Sequence, residues 1–379
     1  MNPEADVCLV GHPFAPIGMG EQLRVSFRAL RSIGVRPAVL DVYGSPGPVD
    51  PEARAELEPF LTDGFRSVNL LHINGDEVEP ILAHLAGRPS PARVFRAVSP
   101  VWELPNYPAG WARQLEQFDE VWASSRFVEQ ALRRAVDRPV VHVPQACEVL
   151  VSSFRNRRFF GIPESAYAFL YSFDLRSWVT RKNPQAVVEA FRQVVHRRPH
   201  VLAVLVLKIN GAELGDERYR AFVHSLEDLR DRLVVLPRTL SDDEMKSLLR
   251  CCDCYVSLHR SEGFGRGPAE SMALGKPVIA TRWSGNLDFM SDDNSLLVDC
   301  ALVPVPPGAY PHWEGQHWAE PDVGQAAVYM LRLIDEPEWG VALGRRARLD
   351  MRRFSLRAIG VRTFERLEEG RRRLEVAGG

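Results

Sequence analysis

The chain has 379 residues, 45% hydrophobic and 25% charged, an ordinary globular composition whose length predicts two domains of roughly 150–200 residues each. Its 47 basic and 49 acidic residues leave a net charge of −2, which supplies no cationic field for holding nucleic acid. The longest apolar run, Val201–Leu207, is far short of the roughly 20 residues a spanning helix needs. The acidic start Met1–Asp6 is unlike a secretory leader, so a cytoplasmic location is expected.

In chain order, short β-rich runs alternate with amphipathic stretches. Val7–Val10, Pro37–Val42, Val68–Ile73, Val94–Val98, Glu120–Ala123 and Val140–Val143 read as strands. Strand signals lapse over Val149–Ser165, where Arg155, Arg157 and Arg158 crowd together. The pattern then restarts with Tyr167–Phe173, Val201–Lys208, Leu233–Leu236, Cys254–Leu258, Val278–Thr281 and Ser295–Val298. Near-continuous apolar strands separated by helices indicate parallel sheets covered on both faces. Two sets of about six fit two doubly wound domains facing a central cleft. The expected division is 1–160, 161–350 and a C-terminal helix over 351–379. Helix starts agree: Asn183-Pro184 offers an N-cap and a proline at N1, and Ser241–Glu244 is a capping box opening a helix over Asp242–Cys251.

Six cysteines, three of them in Cys251-Cys252-Asp253-Cys254, lack a second pair at zinc-site spacing and read as buried thiols. Only four of the basic residues are lysine, at 182, 208, 246 and 276.

The most informative stretch runs from His259 to Glu270, HRSEGFGRGPAE, between the strands Cys254–Leu258 and Val278–Thr281. Pro268 suits N1 of a short helix that Gly275 would close. Three glycines before it allow close backbone approach, and the helix start offers amide donors, together a cradle for a diphosphate. Glu262 and Glu270 would repel an anion and make sense as acceptors for hydroxyl groups. A diphosphate flanked by polyhydroxylated groups is a nucleotide sugar.

Glu262 and Glu270 around Gly-Phe-Gly resemble the E-x7-E motif of the retaining family 4 glycosyltransferases, which have the GT-B fold of two Rossmann-like domains. Phe173-Asp174, Arg181-Lys182-Asn183-Pro184, Ser284-Gly285-Asn286 and Trp318–Asp322 resemble further segments of that family. So do Gly18-Met19-Gly20-Glu21 and Trp102-Glu103-Leu104-Pro105 in the first half. The resemblance implies that Glu270 binds ribose hydroxyls, and that Glu262 with the Gly263-Phe264-Gly265 backbone holds the sugar and pyrophosphate. Lys182 neutralises the pyrophosphate with Arg176 as partner. Gly18 and Gly20 approach the phosphates when the cleft closes, and the base lies near Arg238. Arg266 departs from the apolar residue frequent there and offers an extra phosphate or acceptor contact. His12, Trp102 and Glu103 are acceptor-side candidates; His12 also reads as loop filler and Glu103 as a helix-end charge near Trp111.

The expected reaction moves a hexose-type sugar, with retention, from a UDP- or GDP-sugar to a hydroxyl on a saccharide, lipid-linked glycan or natural product, as in bacterial polysaccharide or natural-product biosynthesis. With no Asp-x-Asp pair, no metal and no other cofactor are expected. A catalytically silent nucleotide-sugar or glycan-binding partner subunit and a sugar phosphorylase on the same fold are the alternatives. The N-terminal Gly18-x-Gly20 with Asp41 imitates a dinucleotide fingerprint, but Leu23 replaces its third glycine and seven residues separate the glycines from the strand. The arginine-rich stretch Arg345–Arg373 suggests weak peripheral contact with an anionic membrane face. Oligomeric state is not legible.

Overall fold

The computed structural model describes residues 6–15, 17–42, 44, 51–149, 153–212 and 216–376. Met1–Ala5 of the acidic start and residues 150–152 of the expected inter-domain break lie outside them. Contacts divide the chain into two compact units, Met1–Cys147 with Arg353–Gly379, and Glu148–Arg352.

The first unit holds six strands: β1 (Val7–Gly11), β2 (Ala38–Asp41), β3 (Val68–Leu71), β4 (Phe95–Val98), β5 (Glu120–Ala123) and β6 (Val140–His142). They form one sheet in the order β2-β1-β3-β4-β5-β6, parallel throughout. β1, β3 and β5 are buried at every position, which explains their mostly apolar sequences; Asn69 in β3 and Glu120 in β5 are buried polar residues among them. The core under the helix Gly18–Ser32 joins Leu9, Leu23, Phe27, Leu30, Val39, Leu70, Phe95 and Trp122.

The second unit repeats the plan with β7 (Tyr167–Asp174), β8 (Ala203–Asn210), β9 (Leu233–Leu236), β10 (Cys254–Ser257), β11 (Val278–Thr281) and β12 (Leu296–Val298). The order is β12-β11-β10-β7-β8-β9, again parallel. The order reverses between β7 and β10, the position where doubly wound sheets open a crevice beyond the C-terminal ends of their strands. An antiparallel hairpin, β13 (Cys300–Pro304) with β14 (His317–Pro321), is an element the sequence did not announce.

The unit boundary falls before the expected residue 160 because the chain there already packs on the helix Asp242–Cys251. Arg155 N donates to Ser247 Oγ at 3.0 Å, and the Arg157 guanidinium meets Asp253 at 2.7 Å. Ser241 and Glu244 make the expected capping box. Among the described residues no helix is long and apolar enough to cross a membrane.

Candidate functional site

The two strands flanking the reversal deliver the charged residues of the second unit. After β7 the chain turns into the short helix Val179–Lys182. Asn183 then takes a left-handed conformation (φ 55°) before the helix Pro184–Arg197. Its side chain does not cap that helix as expected; Nδ2 donates across the reversal to Leu258 O at 3.0 Å. Arg260 N donates to Arg181 O at 2.8 Å, so the segments after β7 and β10 are tied backbone to backbone.

This tie brings Lys182 Nζ to 2.6 Å from Glu262 Oε1. Arg181 reaches Glu262 Oε2 at 3.3 Å and donates from Nη1 to Ser261 O at 2.6 Å. Burial opposes charge on Glu262, but Lys182 and Arg181 outweigh it and hold the carboxyl down at about 2. Glu262 is therefore an anion already paired with two cations, where the sequence suggested an open acceptor for hydroxyls. Arg181 was missed because a buried arginine looks like any surface one in a chain this rich in arginine.

The Gly263–Gly265 loop is fixed from below. Glu262 N donates to Ser284 Oγ at 2.8 Å and Gly285 N to Glu262 O at 2.9 Å, with Ser284 itself at φ 77°. His259 is fully buried; it bonds Ser257 Oγ at 2.9 Å and Asn286 Oδ1 at 3.1 Å. Burial pushes its pKa down despite the nearby Glu262, so the ring is a neutral strut beneath the loop. Phe264 is buried against Phe289, ring centres 5.2 Å apart. A Cβ on Gly285 would lie 2.1 Å from Gly263 O, a contact no side chain tolerates. Gly285→Ala is therefore expected to displace the loop and abolish detectable nucleotide binding in a calorimetric titration; unchanged binding would sever the loop from the site.

Gly265, at φ 93°, starts the helix Arg266–Ala273. The start is two residues earlier than the sequence suggested, so Pro268 is the third helical residue and Glu270 lies past the first turn. Arg266 Nη2 meets Glu270 Oε1 at 2.6 Å, one turn apart.

Arg176 does not accompany Lys182. Its guanidinium grips Asp174 at 3.1 and 2.9 Å, and its side chain lies against Gly211 beyond β8, on the side of β7 away from β10. Beside it Lys208, 4% exposed, donates to Asn210 Oδ1. Burial pushes its ammonium down to about 8, with Asp174 opposing. Arg238 is exposed, pairs with Glu244 at 3.1 Å and covers the Phe159 ring.

In the first unit, His12 Nε2 meets Glu77 Oε1 at 2.9 Å, beyond the ends of β1 and β3, where that sheet reverses. Gly20 is buried against the carbonyls of His12 and Ala15, while Gly18 faces open space. Trp102 is only 2% exposed, donates to Asn106 O at 2.9 Å and meets Tyr107 and Trp111 edge-on. It is a core residue beneath the loop that carries Glu103. Among the described residues no group of three His, Cys, Asp or Glu side chains is placed to hold a metal.

Two doubly wound parallel sheets, with the loop–helix cradle at the reversal of the second, define a GT-B protein. Residues 153–303 match the family of glycosyl transferases group 1, so the second unit is a domain of that kind. The chain is 28% identical over 188 residues to a D-inositol 3-phosphate glycosyltransferase of Acidothermus cellulolyticus, covering 47% of this chain and 41% of that one. It is 24% identical over 195 residues to an uncharacterized glycosyltransferase, YqgM, of Bacillus subtilis, covering 50% and 49%. The chain thus spans less than half the length of these curated relatives. In three dimensions it is similar to HepE of Anabaena in complex with UDP and glucose (TM-score 0.69, 14% identity, 96% of this chain and 99% of that one). It is similar also to the sucrose-phosphate synthase of Thermosynechococcus elongatus (TM-score 0.66, 16% identity, 96% and 98%).

Proposed function

We propose that the protein is a retaining glycosyltransferase of family 4 type that moves a hexose-type sugar from a UDP- or GDP-sugar to a hydroxyl acceptor without a metal. The observation that carries this reading is the Lys182–Glu262 contact of 2.6 Å at the reversal of the second sheet, beside the Gly263–Gly265 backbone and the start of the helix Arg266–Ala273. Backbone amides at a helix start bind phosphate, and a fixed ammonium beside them stabilises the charge that develops on a departing diphosphate. The likeness in fold to a protein whose structure contains UDP and glucose supports a nucleotide-sugar donor.

In the reaction, the bond from the sugar's anomeric carbon to the diphosphate oxygen breaks while the acceptor oxygen attacks on the same face. The departing phosphate takes the acceptor's proton. Lys182 neutralises the leaving group and Glu262 holds Lys182 in place. Glu270, steadied by Arg266, accepts from the ribose hydroxyls. His12 and Glu103 serve the acceptor side.

The test is a fluorescence titration with UDP, GDP and NAD, followed by an assay for nucleoside diphosphate release from the corresponding sugars. Binding of UDP or GDP with turnover is expected; NAD alone binding overturns the reading. Glu270→Ala should raise the dissociation constant for the nucleotide about tenfold or more, the scale of lost hydrogen bonds to a charged group. Activity is expected to survive EDTA, and its loss with recovery on manganese would replace the lysine with a metal. Nucleotide binding without turnover would favour a silent binding subunit, and phosphate-dependent turnover without nucleotide a phosphorylase.

A further inference from the structure

Of the chain's eight tryptophans, Trp178 alone is exposed rather than buried or half-buried, with 46% of its surface open to solvent. Single apolar side chains on a surface are ordinary; this one is set apart by where it is held. It stands immediately before the helix Val179–Lys182, and its carbonyl accepts from Arg181 N at 3.0 Å and from Lys182 N at 3.3 Å. Trp178 is therefore one helical turn from the ammonium assigned to the donor's diphosphate, and residues so spaced are neighbours on a helix surface.

The hairpin β13–β14 fixes the indole there. Its connecting loop, closed by Val305 N donating to Gln316 O at 2.9 Å, carries Tyr310. The buried Tyr310 ring lies 5.7 Å from the indole, tilted by 58°. It also lies 5.7 Å from the Arg181 guanidinium, which in turn reaches Glu262 at 3.3 Å. The hairpin is tied to the same segment: Ala319 N donates to Arg260 O at 2.9 Å. The Arg260 guanidinium meets Glu320 at 2.8 Å and Thr180 O at 2.7 Å. The indole thus has a fixed support on one side, while much of its surface stays open.

The surroundings select what can cover it. Between residues 174 and 184 Trp178 is the only exposed large apolar side chain, and Ser177 and Thr180 flank it. A lipid tail needs a continuous apolar groove, which these neighbours do not supply. A pyranose ring needs none: its C–H face is apolar and its hydroxyls lie around the edge, so an aromatic face among polar neighbours suits it. The donor's own sugar follows its diphosphate, whose cradle is the Gly263–Gly265 backbone. In the run of contacts from that loop, Arg181 and Tyr310 separate Glu262 from the indole. We propose that Trp178 is the stacking platform for a sugar ring of the acceptor, which makes the acceptor a saccharide and Trp178 a specificity-determining residue. The assignment rests on the glycosyltransferase reading above and narrows it.

The test follows nucleoside diphosphate release from the UDP- or GDP-sugar that binds. Methyl glucoside, methyl mannoside, maltose, cellobiose and lactose are the trial acceptors, with octanol and phenol as sugar-free hydroxyls. Release above the water background is expected with at least one saccharide and with neither octanol nor phenol. Trp178→Ala should raise KM for that saccharide about tenfold, the scale of one aromatic contact. Its kcat, its KM for the donor and its melting temperature should not change. Trp178→Phe, which keeps a ring face, should stay within about threefold of the parent, whereas Trp178→Leu should behave as the alanine variant. Stimulation by octanol or phenol, or by no saccharide, would overturn the assignment. So would a saccharide KM unmoved in Trp178→Ala, a shift in the donor's KM in its place, or a leucine variant equal to the phenylalanine one. Each of these leaves nucleotide binding, and with it the wider reading, standing; if neither UDP nor GDP binds, the wider reading falls and this one with it.

Discussion

Lys182→Ala is expected to lower turnover about a hundredfold or more while the protein stays folded. The magnitude is that of one electrostatic donor removed from a developing oxyanion, about 10²–10³ in rate. Stability should fall by only about 1–2 kcal/mol, as for one charged hydrogen bond, because Glu262 keeps Arg181 at 3.3 Å. Its backbone also stays anchored to Ser284 and Gly285. Lys182 itself is one-quarter exposed, so its loss opens little cavity. Steady-state kinetics with the donor that binds, paired with a thermal melt, separates the two effects. Turnover within about threefold of the parent would leave the ion pair as scaffolding alone, since that is about 0.7 kcal/mol of barrier.

Glu120→Ala should produce the larger loss of stability. Glu120 opens β5 with no exposed surface, inside a sheet otherwise apolar at that position. Arg366 donates to it through Nε at 2.9 Å and again through Nη2. Arg373 adds a contact at 2.6 Å, and Trp122 Nε1 donates at 3.1 Å. Both arginines ride on the helix Leu356–Val376, which packs along the helix Gly18–Ser32. Removing one side of a buried ion pair costs about 3–5 kcal/mol, a large share of a typical domain's total. Glu120→Gln keeps the indole's acceptor and should lose less. Limited proteolysis should find the helix Leu356–Val376 cut first in the alanine variant; an unaltered melting temperature and cleavage pattern would deny the clamp.

The twelve sheet strands were legible to within two residues because parallel strands covered on both faces are mostly apolar, and interruptions such as Asn69 and Glu120 are too few to hide the runs. Their order was not legible, since periodicity does not say which strand neighbours which. The hairpin β13–β14 escaped for the opposite reason: Cys300–Pro304 is half exposed along its length and ends on a proline, which reads as loop. At the site, the glycines and both glutamates stood out by type and spacing. Lys182 and Glu262, 80 residues apart in sequence, carry no sign that they touch. The direction of Arg176 was equally hidden, because its partner Asp174 belongs to the same short motif and the turn at Gly211, which takes its side chain, to a distant one.

The helix Leu356–Val376 also orders events in time. A ribosome delivers residues 1–147 before residues 148–352, yet Glu120 stays without its arginines until Arg366 and Arg373 have emerged. Residues 148–352, by contrast, are contiguous and have all their partners once translated. The first unit to be synthesised is thus the last to mature, and nascent chains stalled before Arg366 should present that half-built sheet to chaperones.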